Sequence, residues 1–152
     1  MASQGLKISR ELHEAVIAHC RSRYPKEACG ILAGSAAAPT DGPQRVVQVY
    51  PMRNVEDSPI GYSMDPKEQL QIEKQMRQCG QRLVAIYHSH TATQAYPSPV
   101  DVRLAVSPDI SYVLVSLQDQ QRPDFRSYRI DGQPSEEPVI FGEDAPRQVG
   151  AA

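Results

Sequence analysis

The run His88-Ser89-His90-Thr91-Ala92-Thr93-Gln94-Ala95-Tyr96-Pro97-Ser98-Pro99-Val100-Asp101 gathers two imidazoles and a carboxylate within a short span. The residues just before it, Leu83 to Tyr87, are apolar and read as a strand that ends in the two histidines. Successive strand side chains alternate faces, so His88 and His90 point the same way, as two ligands of one ion must, and Ser89 faces elsewhere. The segment from Thr91 to Pro97 is long enough to fold back and let the first turn of a following helix present Asp101. Two imidazoles and one carboxylate suit zinc, and three protein ligands leave a fourth position for water, the pattern of a catalytic rather than a structural centre. Ser98-Pro99-Val100-Asp101 is also a capping box with proline at the first helical position. The two readings are compatible, because a helix N-terminus can hold Asp101 while its free oxygen meets a metal.

Hydrolysis at such a centre needs a base to take a proton from water. The sequence has no His-Glu-x-x-His, so the base must come from elsewhere in the chain. Glu27 is the candidate, in Tyr24-Pro25-Lys26-Glu27-Ala28-Cys29-Gly30-Ile31-Leu32-Ala33-Gly34, where an acid stands at the lip of a short apolar strand. The plain alternative is a solvated glutamate after a helix.

The elements that must position these groups follow from pattern. Ser9 caps a helix running to about Arg23, with Leu12, Val16 and Cys20 on one face, and Tyr24-Pro25 ends it. Strands are predicted at Ala28 to Ala33 and at Val46 to Tyr50, separated by a connector from Ser35 to Pro43. Asp65-Pro66-Lys67-Glu68 reads as a capped helix start with Glu68 completing a capping box; Leu70, Ile72, Met76 and Cys79 form its apolar side and Gly80 ends it. A short helix from Pro99 to about Val106 follows the histidine strand, and Val113 to Val115 and Phe125 to Ile130 form a hairpin through Asp119 to Pro123. This order suits a mixed sheet flanked by helices, an α/β or α+β class. Residues 1–140 are read as one domain and 141–152 as a loose tail.

Composition narrows the function. A chain of 152 residues that is 40% hydrophobic is enough for one core and too little for two. A net charge of −2 supplies no field for a phosphate backbone, so nucleic-acid binding is disfavoured. No apolar run approaches the roughly 20 residues of a membrane span. The N-terminus lacks an apolar leader, and three cysteines without Cys-x-x-Cys spacing are expected to pack in the core, which together suit a reducing cytoplasm. His13 and His19 lie six positions apart in the first helix and are read as surface or packing residues rather than a metal pair.

Taken together, the Glu27 segment and His-x-His-x7-Ser-x2-Asp resemble the JAMM, or MPN-plus, metallopeptidases, with every signature position filled. The resemblance is closest to the bacterial Mec-type branch, through Glu27-Ala28-Cys29-Gly30, Tyr87-His88-Ser89-His90-Thr91-Ala92-Thr93, Ala95-Tyr96-Pro97-Ser98, Tyr112-Val113-Leu114-Val115-Ser116 and Arg126-Ser127-Tyr128-Arg129-Ile130. Thr91 stands where many JAMM members have proline, a departure that Mec-type members share. The resemblance implies a JAB1/MPN, cytidine-deaminase-like sheet. It further implies zinc on His88, His90 and Asp101, Glu27 as general acid and base, and Ser98 steadying an oxyanion. The implied substrate is a small ubiquitin-like sulfur-carrier protein with a Gly-Gly end, from which an amide-linked cysteine is released. The freed cysteine's carboxylate wants a cation, with Lys26, Arg53 and Arg103 available. Competing readings are an isopeptidase acting on protein conjugates and a non-catalytic MPN scaffold. A zinc nucleoside deaminase is set aside because its Pro-Cys-x-x-Cys is absent. Oligomeric state and the carrier's identity stay open.

Overall fold

Ser9 leaves extended backbone and accepts a hydrogen bond from Leu12 N, so the first helix starts where its cap directs. In this computed structural model, which describes residues 5–142, the elements in chain order are β1 (Leu6–Ser9), α1 (Arg10–Arg23), β2 (Cys29–Ser35), β3 (Gln44–Arg45), β4 (Gln48–Met52) and α2 (Pro66–Gln78). They continue with β5 (Gln81–His90), α3 (Pro99–Leu104), β6 (Ser111–Ser116), β7 (Asp124–Asp131), β8 (Gln133–Glu137) and β9 (Val139–Gly142). The main sheet runs β4-β2-β5-β6-β7-β8, antiparallel throughout except for the parallel β5/β6 pair; a small parallel sheet runs β3-β1-β9. This is the mixed sheet flanked by helices that the pattern predicts. No helix among the described residues is long and apolar enough to cross a membrane.

Strand alternation sorts the core into two faces. Leu12, Val16, Ile17 and Cys20 of α1 pack with Leu32, Val49, Tyr87, Val113 and Val115. Ile72 and Met76 of α2 pack on Cys29, Ile31, Ala33, Tyr50 and Met52. Gly30 is required between them: a Cβ there would lie 2.3 Å from the Tyr87 ring, which crosses β2 to bring its hydroxyl 2.7 Å from His19 Nδ1.

Four expectations change. Val46 and Val47 form no strand of their own; Val46 N donates to Lys7 O and Val47 N to Ala33 O, so they carry the chain from the small sheet to the large one. Leu70 is 63% exposed, because α2 buries only the stripe of Ile72 and Met76 and position 70 lies off it. Cys79, expected in the core, is exposed at the C-cap of α2, whereas Cys20 and Cys29 are buried. Glu68 accepts a hydrogen bond from Arg53 N at 3.0 Å, tying α2 to the end of β4 where a capping box was expected.

The C-terminal segment holds more structure than its composition announces. β8 is an edge strand, where Pro134 is tolerated, and its Glu137 is buried against the hydroxyls of Ser111 and Ser127 and the guanidinium of Arg129. Phe141 and Gly142, assigned to the tail, belong to β9 and pair with Ile8 and Ser9. The rest of the expected tail, 143–152, lies outside the described residues.

Candidate metal centre

The apolar run of β5 ends in His88 and His90 on the face away from α1, and a parallel pairing with β6 holds that end in register. The loop that follows is pinned from the neighbouring strands: Ser116 Oγ donates to Thr93 O, Tyr128 OH to Ala95 O, and Leu117 N to His90 O. Ser98 then opens α3 as the N-cap. Its hydroxyl oxygen accepts from Asp101 N at 3.1 Å, and Asp101 Oδ2 accepts from Ser98 N at 2.9 Å, so both halves of the capping box are formed. This fixes the Asp101 carboxylate over the histidines, with Oδ1 3.2 Å from His88 Nε2 and Oδ2 3.1 Å from His90 Nε2.

One ligand atom from each of His88, His90 and Asp101 lies within 4.8 Å of the other two. Ligands on a zinc tetrahedron with bonds of about 2.0–2.1 Å stand about 3.3 Å apart, close to the contacts seen here. Despite its nearness to Asp101, His88 Nε2 is a buried nitrogen without a hydrogen-bond partner among the described residues. An orphaned imidazole nitrogen facing a carboxylate is the donor set a divalent ion completes, so the residues fit zinc. His90 Nδ1 lies 3.0 Å from Gln94 O; donating there directs the Nε2 lone pair to the centre. Burial pushes His88 down from the ordinary imidazole range, which keeps it neutral and able to ligate. Burial acts the same way on His90, but Asp101 and the Gln94 carbonyl outweigh it and raise that group. Burial also opposes charge on Asp101, yet the two imidazoles close against it and the hydrogen bond from Ser98 N hold its carboxyl far below the usual carboxylate range.

Glu27 is buried rather than solvated, with 6% exposure. It precedes β2, whose Cys29 pairs with His88, and Ser89 clamps the neighbouring Ala28: its N donates to Ala28 O and its Oγ accepts from Ala28 N. Ser89 thus faces away from the ligands, as expected, and secures the strand that carries Glu27. Burial pushes the Glu27 carboxyl up to about 7; His90 opposes this, while Asp101 and Glu56 add to it. A carboxyl in that range can both take and return a proton near neutrality.

Two further residues were invisible to the spacing argument. Asn54, 3% exposed, sends Nδ2 to Glu27 O and Gly61 O and accepts at Oδ1 from Glu56 N and Ser63 N. It folds the segment between β4 and α2 over the site, aided by Glu27 N donating to Ser58 O and Thr91 Oγ1 to Pro59 O. That fold lays the Tyr62 ring on His88, with centroids 4.4 Å apart and planes 26° from parallel. Of the three cations considered, Lys26 is paired with Asp57 at 2.7 Å and Arg53 with Asp65 at 3.4 Å, while Arg103 is exposed on α3 and carries no ion pair among the described residues. Tyr96 is half exposed and meets Tyr128 edge to face; its neighbour Pro97 lines a cleft beside His88 and Asp101.

The mixed sheet flanked by helices is a fold shared with solved structures. A JAB1/MPN domain protein from Archaeoglobus fulgidus superposes with a TM-score of 0.51 at 18% identity, over 89% of this chain and 99% of that one. The chain belongs to the prokaryotic homologs of the JAB domain, which its residues 9–131 match. It is 50% identical over 135 residues to the CysO-cysteine peptidase of Mycobacterium tuberculosis, covering 88% of this chain and 89% of that one. It is 31% identical to a desampylase of Haloferax volcanii over 121 residues, 76% and 84% of the two chains. The solution structure of a Desulfitobacterium hafniense protein superposes with a TM-score of 0.81 at 38% identity, over 91% of this chain and 94% of that one.

Proposed function

We propose that this chain is a zinc-dependent JAMM peptidase that hydrolyses the amide between the Gly-Gly end of a ubiquitin-like sulfur-carrier protein and an attached cysteine. The observation that carries the reading is the joined set of His88, His90 and Asp101 with an orphaned Nε2, beside a buried Glu27. The 50% identity to a CysO-cysteine peptidase along nearly its whole length supports the substrate end. Zinc on the three ligands, when bound, supplies a Lewis acid and a more acidic water. Glu27 takes the proton from the attacking water and delivers it to the leaving amine; the C–N bond breaks, the carbonyl carbon keeps the oxygen, and free cysteine departs. Ser98 Oγ accepts from Asp101 N, so its O–H is available to donate to the carbonyl oxygen as charge develops there, a contribution of about 3 kcal/mol at comparable sites. Burial of His88, His90 and Glu27 strengthens each of these interactions by thinning the surrounding water.

The similarity to a desampylase favours a second reading, hydrolysis of a protein conjugate at the same centre. Mass spectrometry separates them. Zinc-loaded protein should remove one cysteine residue mass from a carrier ending Gly-Gly-Cys, and protein treated with chelator should not. Cleavage of a lysine-linked conjugate with the cysteine adduct untouched would reverse the order, and zinc-loaded protein inert on both would sink the peptidase reading.

A further inference from the structure

Beside His88 and Asp101, on the α3 side, lies a small apolar cleft with a cavity volume of about 30 Å³. His88 and Asp101 form one end, so a group entering it is within about one residue of the bond that is cut. Its lining combines Leu114, Ile130 and Tyr112, all buried, with Ala105 and Leu104, the latter 67% exposed. Tyr112 OH donates to Ser107 O and accepts from Ser107 N, both at 3.0 Å, so that phenol is satisfied; Tyr62 and Pro97 complete the lining. Among the described residues that line the cleft, Asp101 is the only acid and none is a lysine or arginine.

Resting on the peptidase reading, we propose that this cleft is the subsite for the side chain of the leaving residue, and that it takes a short, uncharged side chain and refuses charged or linking ones. The acyl side of the proposed substrate is Gly-Gly, which has no side chain to place; the first that needs room near the ligands belongs to the residue on the other side of the amide. A thiomethyl group fits a small recess walled mostly by apolar side chains. A carboxylate in the same place would lose its water with no lysine or arginine to receive it, and an ammonium would meet only Asp101, whose oxygens already face the two histidines. A lysine isopeptide meets a different obstacle. Its leaving nitrogen sits on a methylene chain whose far end is another backbone, and a recess this small, backed by buried Leu114, Tyr112 and Ile130, has no room for that backbone. The cleft therefore discriminates by shape between a terminal residue and a protein conjugate, using Leu104 and Ala105 as its adjustable wall.

The test uses zinc-loaded full-length protein and ubiquitin-like carriers ending Gly-Gly-X, with X as Cys, Ala, Gly, Phe or Asp, alongside a lysine-linked conjugate. Cys and Ala should be released with kcat/KM at least about tenfold above Asp. Ala105→Phe should lower the Cys-over-Gly ratio of kcat/KM about tenfold, and Leu104→Ala should raise the Phe-over-Cys ratio severalfold; ratios are insensitive to the fraction of protein folded. Calorimetry with the Glu27→Gln variant, which holds carriers uncut, should show the same order in Kd. Asp handled as well as Cys, or ratios unmoved by both wall variants, would overturn the subsite while leaving the peptidase reading intact. No cleavage of any carrier by protein with zinc bound would overturn the peptidase reading and the subsite with it.

Discussion

The two halves of the centre are built by different means. His88, His90 and Asp101 stand on regular elements, a strand end and a capped helix, whose own hydrogen bonds fix where the side chains point. Glu27 stands before β2 on neither helix nor strand, and is fixed by bonds from distant residues: Asn54 to its carbonyl, its own N–H to Ser58, and Ser89 to the adjoining Ala28. The proposed ligand half is set by periodicity and the proposed base half by tertiary contact, so the two should fail separately.

The largest separation is expected from the proposed ligands and base themselves. His88→Ala or Asp101→Ala should abolish stoichiometric zinc, read by metal analysis, and Asp101→Ala should also cost about 1 kcal/mol of stability through the lost cap. Glu27→Gln should hold zinc and fold normally while turnover falls by about 10²–10⁴; near-normal turnover would remove Glu27 from its role. Asn54→Ala comes next. It leaves several buried groups unpaired and should destabilise by about 1–3 kcal/mol, with kcat falling more than zinc affinity; equal losses would mean that the segment over the site holds both halves. Asn54→Asp, which keeps the acceptor and loses the donor to Glu27 O, should restore part of the stability but not kcat.

Two smaller effects test the face shared by α1 and the sheet. Gly30→Ala forces the Tyr87 ring to move and should cost about 1–3 kcal/mol in denaturant unfolding, as overpacking does. His19 has its pKa lowered to about 4, by burial first and Arg23 second. An imidazole depressed in the fold takes up its proton more readily when unfolded. Its contribution is therefore complete above pH 6.5 and is lost as pH falls from there toward 4. His19→Gln should flatten the fall in Tm over that window.

This division explains what was legible. The His-x-His alternation and the Ser98 to Asp101 cap are local rules, and the sequence carries both in full. Asn54 and Tyr62 lie in a segment with no periodicity, and their role exists only once Glu27 and His88 are brought to them from elsewhere in the chain. The same distinction runs through the fold. α1, β2, β5, β6 and β7 declare themselves by apolar pattern, whereas β8 and β9 do not. β8 buries a glutamate that hydroxyls and an arginine satisfy, and β9 exists because β1 offers it a parallel partner. Cys79 misleads for the complementary reason, being an apolar residue at a helix end that meets solvent.

The Asp101 carboxylate belongs at once to the first turn of α3, through Ser98 N, and to the two histidines. An ion bound there would share that carboxylate with the helix whose Leu104 and whose C-cap Ala105 line the apolar recess. Binding at the two places is then thermodynamically reciprocal: whatever factor the ion adds to the affinity for a leaving residue, an occupied recess returns to the affinity for the ion. With a factor above one, an enzyme made this way would hold its metal most firmly while it holds substrate, and the resting protein would be the state most easily stripped by a chelator.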